Sequence, residues 1–193
     1  MAGGAHFRQA RRSPLRSLIE WVLIVAVVVG GLQLVRAFVV EPFFVPTGSM
    51  ETTIMPGDTL LAEKLSLNLG HDVERGDIVV FENPDPLEGH EVLVKRVIAT
   101  EGQTVSLAPS EDGVWRVSVD GQVLDEPYAL GSSYPLDDSV TFPLTVPDGC
   151  VWLMGDNREN SADSRVFGPV DVDSLIGVVV WRYWPLDRFG GVE

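Results

Sequence analysis

The chain has 193 residues, enough for one ordinary soluble domain plus an appendage. Its 14 Lys and Arg against 28 Asp and Glu give a formal net charge of −14, which argues against a nucleic-acid binder needing a basic face. The single cysteine, Cys150, excludes a disulfide framework and a Cys-based zinc cluster, and three scattered histidines (His6, His71, His90) speak against a His-rich metal centre. No metal and no cofactor are expected.

The charge is uneven along the chain. The first 40 residues hold Arg8, Arg11, Arg12, Arg16 and Arg36 against one acid, Glu20, so the acidic surplus lies wholly beyond them. Between the two regions runs the most apolar stretch of the sequence, Trp21–Val35, with flanks reaching Leu18 and Val40. As a helix, residues 18–40 span roughly 34 Å, enough to cross a bilayer core. A cleavable signal peptide and a buried helix are the competing readings. The run is followed by no Ala-x-Ala cleavage site, which favours a retained transmembrane anchor. The basic residues before it place the tail, 1–17, in the cytoplasm by the positive-inside rule. Residues 41–193 then form an extracytoplasmic domain at the cell membrane, with the lipid bilayer as a standing partner.

Beyond residue 40, short apolar runs alternate with turn signals, and a mainly β domain is expected. Pro56-Gly57-Asp58 precedes a strand at Thr59–Glu63, and Arg75-Gly76-Asp77 precedes one at Ile78–Phe81. Val92–Ala99 and Val151–Met154 read the same way. Val114–Val119 followed by Asp120-Gly121 and Val123 is a hairpin signal, with Trp115, Val117 and Val119 on one face. Leu175–Trp184 is apolar but ten residues long, too short for a second span, and reads as a core strand. Residues 106–148 are richer in Pro, Ser and Asp and read as an inserted, looser subregion.

Three segments carry candidate chemistry. Pro46-Thr-Gly-Ser-Met50 lies directly after the apolar stretch, and Ser49 is a candidate nucleophile, although Thr-Gly-Ser is also a common loop. Lys95, one of two lysines in the chain, is flanked by Leu93, Val94, Val97 and Ile98. In a strand Lys95 and Arg96 face opposite ways, so one of them points to the apolar side. A buried lysine loses preference for its charged form and can act as a general base; the competing reading is an edge-strand lysine that deters aggregation. The third segment, Gly155–Gly168, is dense in small polar and charged residues. A calcium loop there would have to accept two arginines, whereas Asp163 and Arg165 can form a supporting ion pair. A Ser-His-Asp triad finds no suitably placed histidine, Thr52 stands where a Ser-x-x-Lys pattern needs lysine, and no Gly-x-Ser-x-Gly elbow exists. A Ser-Lys dyad is the simplest nucleophile and base pair that remains.

Together, in this order, the segments resemble those of bacterial type I signal peptidases, membrane-bound serine proteases. Pro46–Met50 is similar to the family's nucleophile box, Pro56-Gly57-Asp58 and Arg75–Phe81 to its next block, Lys95–Gly102 to its lysine box, and Gly155–Gly168 to its Gly-Asp-Asn-Arg…Ser-x-Asp-Ser-Arg box. One departure is Thr52, where the family usually has proline. The single anchor and small insert resemble the Gram-positive, actinobacterial style.

The resemblance implies a signal-peptidase-like β-barrel or sandwich behind one transmembrane helix, and an endopeptidase that removes signal peptides from exported preproteins. It implies Ser49 as nucleophile and neutral Lys95 as general base. Thr47 and the Ser49 backbone N–H would stabilise the oxyanion, and Ser161 would hydrogen-bond and orient the lysine amine. Asp163 and Arg165 would support the site, Gly155 would allow close packing, and Met50 would cover Lys95 and line the groove. The implied partner is a signal peptide of Ala-x-Ala type. A Ser-Lys peptidase dedicated to one exported protein and a non-catalytic peptide-binding β module are the alternatives.

Overall fold

The computed structural model describes residues 14–84, 91–136 and 138–192. His6, His90 and most of the basic tail, including Arg8, Arg11 and Arg12, lie outside the described residues. The chain divides between Ala37 and Phe38 into a helical unit and a β unit.

The helical unit is α1, Pro14–Phe38. Proline suits its first position, where no intrahelical N–H bond is lost. Leu15–Phe38 has a mean hydropathy of 2.4 in its most apolar window and is apolar on all sides, long enough to cross a membrane. It starts four residues before the predicted anchor and ends two before it, because Val40 is drawn into a strand.

The β unit comprises β1 (Val40–Phe44), β2 (Thr59–Glu63), α2 (Leu65–Asn68), β3 (Ile78–Glu82), β4 (Val92–Thr100), β5 (Thr104–Pro109), β6 (Trp115–Val119), β7 (Gln122–Val123), β8 (Leu144–Thr145), β9 (Cys150–Met154), α3 (Ser164–Phe167), β10 (Val170–Asp171), β11 (Leu175–Trp184) and β12 (Gly190–Gly191). The larger sheet runs β1-β2-β11-β3-β4-β9-β10, with β12 folded back on β11; a smaller sheet runs β7-β6-β5-β8. β1 is an edge strand, which is where the sheet tolerates Pro42 and its missing donor.

The predicted hairpin forms β6 and β7. Asp120 and Gly121 both take positive φ, 51° and 78°, as the primed turn requires. The subregion read as loose carries most of a second sheet, which shares a core with the larger one: Val105, Val117 and Val119 pack with Ile98 and Trp152. Trp152 is fully buried and meets Phe142 edge-on at 5.6 Å. Two further clusters flank the larger sheet, one around Met50, Ile54, Leu60 and Val80, the other around Val79, Phe81, Val97 and Leu153. β4 contributes to both, Val92 and Val94 to the first and Leu93 and Val97 to the second. It is therefore covered on both faces, and Lys95 and Arg96 are both buried, where the alternation argument expected one.

Candidate active site

The loop after β1 leaves the sheet at Val45 and returns at Asp58. Its base is closed by Val45 N–H to Asp58 O (2.9 Å) and Gly57 N–H to Val45 O (2.8 Å). At its near end Pro46, Thr47 and Gly48 lead to Ser49. Met50 is buried and pins the loop to the core, and Ile54 N–H donates to Met50 O at 2.8 Å, forming a tight turn around exposed Thr52. A second loop grips this one from outside. Asn157 N–H donates to Ser49 O at 3.0 Å, and Asn157 Nδ2 donates to Gly48 O at 3.1 Å.

β4 brings Lys95 to the serine. Its Nζ lies 2.7 Å from Ser49 Oγ and 3.2 Å from Val94 O, in a side chain only 2% exposed. A groove of about 70 Å3 opens beside the pair, walled by Phe43–Thr47 and Met50 on one side and Val92–Val94 on the other. Thr47 is exposed and lines this groove. Both walls are backbone edges. β1 pairs only with β2, and β4 pairs with β9 only from Arg96 onward, so among the described strands none covers Val92–Lys95 on that side.

Gly155 sits behind the dyad with no room to spare. A Cβ there would lie 2.5 Å from Ser49 O and 2.3 Å from Ser161 Oγ. Ser161 is therefore a neighbour of the site, 7% exposed, but its Oγ makes no hydrogen bond in the structure. The bond expected from Ser161 to the Lys95 amine is not formed, and the hydroxyl rests against Gly155 instead. Asp163 and Arg165 are fully buried and bidentate, with Nε–Oδ1 and Nη2–Oδ2 both at 2.9 Å. Asp163 also accepts Gly155 N–H (3.0 Å) and Arg165 N–H (3.2 Å), so one carboxylate ties Gly155 to the start of α3.

Two more buried pairs were not singled out in the sequence. Arg96 binds Asp156 through Nε–Oδ1 (2.9 Å) and Nη2–Oδ2 (2.8 Å), stacks 4.0 Å over Tyr128, and shares Asp156 with Thr53 Oγ1. Arg158 binds Glu126 at 2.9 and 2.7 Å and donates to Ser133 Oγ at 2.6 Å. Leu130 joins them, its N–H on Asp156 O and its O taking Arg158 N–H. Burial, and then the neighbouring Glu126 carboxylate, push the Tyr128 phenol far above its ordinary range and keep it neutral. Arg96 had a signal, adjacency to Lys95, and Asp156 and Arg158 lie in the dense polar segment. Glu126 and Tyr128 had none. Among the described residues no group of three or more His, Cys, Asp or Glu is arranged to hold a metal ion.

A serine hydroxyl thus lies against a buried amine, beside a strand-walled groove in the β unit. Residues 18–184 match the family described as "Signal peptidase, peptidase S26". The chain is 41% identical to a probable signal peptidase I-1 of Synechocystis sp., covering 92% of this chain and 88% of that one. It is 34% identical to signal peptidase I of Mycobacterium tuberculosis, covering 96% and 78% respectively. A solved signal peptidase I from Enterococcus faecalis aligns with 31% identity and a TM-score of 0.44, over 55% of this chain and 96% of that one. The chain belongs to the signal peptidase family, peptidase S26. It is a type I signal peptidase, a hydrolase of the serine type.

Proposed function

We propose that this chain cleaves signal peptides from exported preproteins with Ser49 as nucleophile and the uncharged amine of Lys95 as general base. The observation that carries the reading is the 2.7 Å Oγ–Nζ contact at a lysine that is 2% exposed. An ammonium there loses its hydration, which disfavours the charged form. With the amine neutral, the Ser49 hydroxyl donates to Nζ and is set up for proton transfer.

Ser49 Oγ attacks the scissile carbonyl carbon while Nζ takes the hydroxyl proton. The negative oxygen is held by the Ser49 N–H and the Thr47 hydroxyl, donors of a kind whose loss typically costs about 10²–10³ in rate. The C–N bond breaks, Nζ returns the proton to the leaving amine, and an acyl ester remains on Ser49. Water then attacks the ester, giving its proton to Nζ, and Ser49 recovers its hydrogen as the ester collapses. Ser161 orients the amine during the reaction, its Oγ carrying no competing hydrogen bond. Gly155, Asp163 and Arg165 hold the shape of the site.

The substrate enters as an extended segment between the free edges of β1 and Val92–Val94, its main chain bonding to both and its alternate side chains facing the groove. A groove of about 70 Å3 fits small side chains of Ala-x-Ala type. α1 crosses the cell membrane once with its N-terminus in the cytoplasm, and the β unit works on the other side.

The test is cleavage of an Ala-x-Ala preprotein by the full chain in lipid vesicles. Ser49→Ala and Lys95→Arg should each lower kcat by at least about 10³-fold, since the first removes the nucleophile and the second a base that can lose its proton. Efficient cleavage by either variant would refute the dyad.

A further inference from the structure

Strand β11 of the larger sheet reaches the nucleophile loop through one side chain. Arg182 lies near the end of β11, and β12 folds back against it, with Arg182 opposite Gly190. Its Nη1 donates to Thr53 O at 3.0 Å, and its Nε donates to Arg188 O at 2.5 Å. The same Nη1 is 3.6 Å from Asp58 Oδ2. Asp58 is fully buried, pairs with Arg188 and accepts Met55 N–H at 2.8 Å. Arg182 thus reads as a planar bridge between the C-terminal turn and the stretch Thr53–Asp58 that closes the Ser49 loop.

The ladder of β11 does not need this bridge. Its backbone already pairs with β2 from Val178 to Trp184 and with β3 from Leu175 to Val178. The loop does gain from it. Between Ser49 and Thr53 the chain turns through Thr52, which has no ring to fix its φ, and the turn is closed by two backbone bonds, Glu51 N–H to Gly48 O at 3.2 Å and Ile54 N–H to Met50 O at 2.8 Å. Asn157 holds the loop at Gly48 and Ser49, whereas Thr53 is held from two sides, its hydroxyl on Asp156 and its carbonyl under Arg182. Fixing both ends of so short a turn fixes the rotation of the peptide that carries Ser49 Oγ.

We infer that Arg182 is a positioning residue of the hydrolytic site, setting Ser49 Oγ against the Lys95 amine through the Thr53 carbonyl. This inference rests on the Ser49–Lys95 reading. It touches neither substrate nor the reacting atoms, so its removal should slow chemistry and leave binding nearly intact. A displacement of about 1 Å at a reacting atom can cost on the order of 10²-fold in rate.

The experiment uses the full chain in lipid vesicles, with kcat and KM measured on a preprotein and normalised to folded enzyme. Arg182→Met keeps the apolar stem and loses the donors; kcat should fall about 10- to 100-fold with KM changed by less than about twofold. Arg182→Lys keeps one donor and should recover to within about threefold of the original kcat. Arg188→Met breaks the Asp58 pair but leaves the Thr53 bond; any loss of stability from the unpaired Asp58 carboxylate is removed by normalising to folded enzyme, so kcat should stay within about twofold. Arg182→Gln, too short to reach Thr53 O, is measured alongside in case the Met variant does not fold. A kcat within twofold in either folded Met or Gln variant overturns the assignment. So does a loss in Arg188→Met equal to that in Arg182→Met, or an effect confined to KM. Activity surviving in Ser49→Ala would instead remove the dyad reading; with that variant inactive, only the Arg182 assignment is at stake.

Discussion

A methyl group on Gly155 has no space to occupy, because it would meet the Ser49 carbonyl and the Ser161 side chain at distances no real Cβ tolerates. One of these contacts is backbone, so relief must come from the Ser49 loop moving off Lys95. Gly155→Ala should therefore reduce kcat by about 10²-fold or more while the folded fraction, read by circular dichroism, stays high. Unaltered turnover would show that the loop can yield at no cost to the dyad. The lone thiol behaves differently. Cys150 starts β9 half-buried, and desolvation, then the nearby Asp171 carboxylate, push it above its usual range. It packs against the cluster around Ile98 and Trp152 as a small, partly buried residue.

At the level of elements, the site rests on three buried guanidinium–carboxylate pairs distributed over β4, the 155–165 segment and the connector before β8. Removing one member of such a pair leaves the other charged and dry. Asp163→Ala should destabilise the chain by roughly 3–5 kcal/mol. Chemical denaturation in detergent measures it, and a change below about 1 kcal/mol would mean that Arg165 finds another partner or solvent. How far these elements can be read from the sequence varies with the range of the interactions that make them. β2 and β11 fall on the residues predicted, Thr59–Glu63 and Leu175–Trp184, since turn signals and apolar runs are local. Of β1 the sequence reading takes only Val40, as the end of the apolar stretch, and pairing with β2 makes Val40–Phe44 a strand. The partners of Arg96 and Arg158 lie 60 and 32 residues away, beyond what spacing can convey. Ser49, Lys95, Asp163 and Arg165 were legible because each sits in a locally unusual segment. The Ser161 contact was not, since it depends on which way a small side chain turns around Gly155.

For the whole molecule, the division at Ala37–Phe38 separates a mainly apolar helix from an acidic β body. The proposed sense of insertion rests on the arginines at 8, 11, 12 and 16, which the positive-inside rule assigns to the cytoplasmic side. Replacing all four with glutamate should send a substantial share of chains across the membrane in the opposite sense, with the β body becoming resistant to protease added outside intact spheroplasts. Unchanged protease access in that variant would remove the charge argument for topology. A free strand edge in such a crowded plane carries a hazard of its own. β1 must leave its outer side open, and an open side invites the same strand of a neighbouring copy to zip against it. Pro42, in the middle of β1, deletes one donor from that row of peptide groups. A visiting segment needs only a few residues' grip on either flank, whereas a lasting strand-to-strand dimer needs the uninterrupted row, so one imino acid discourages self-association without closing the door to short-lived guests.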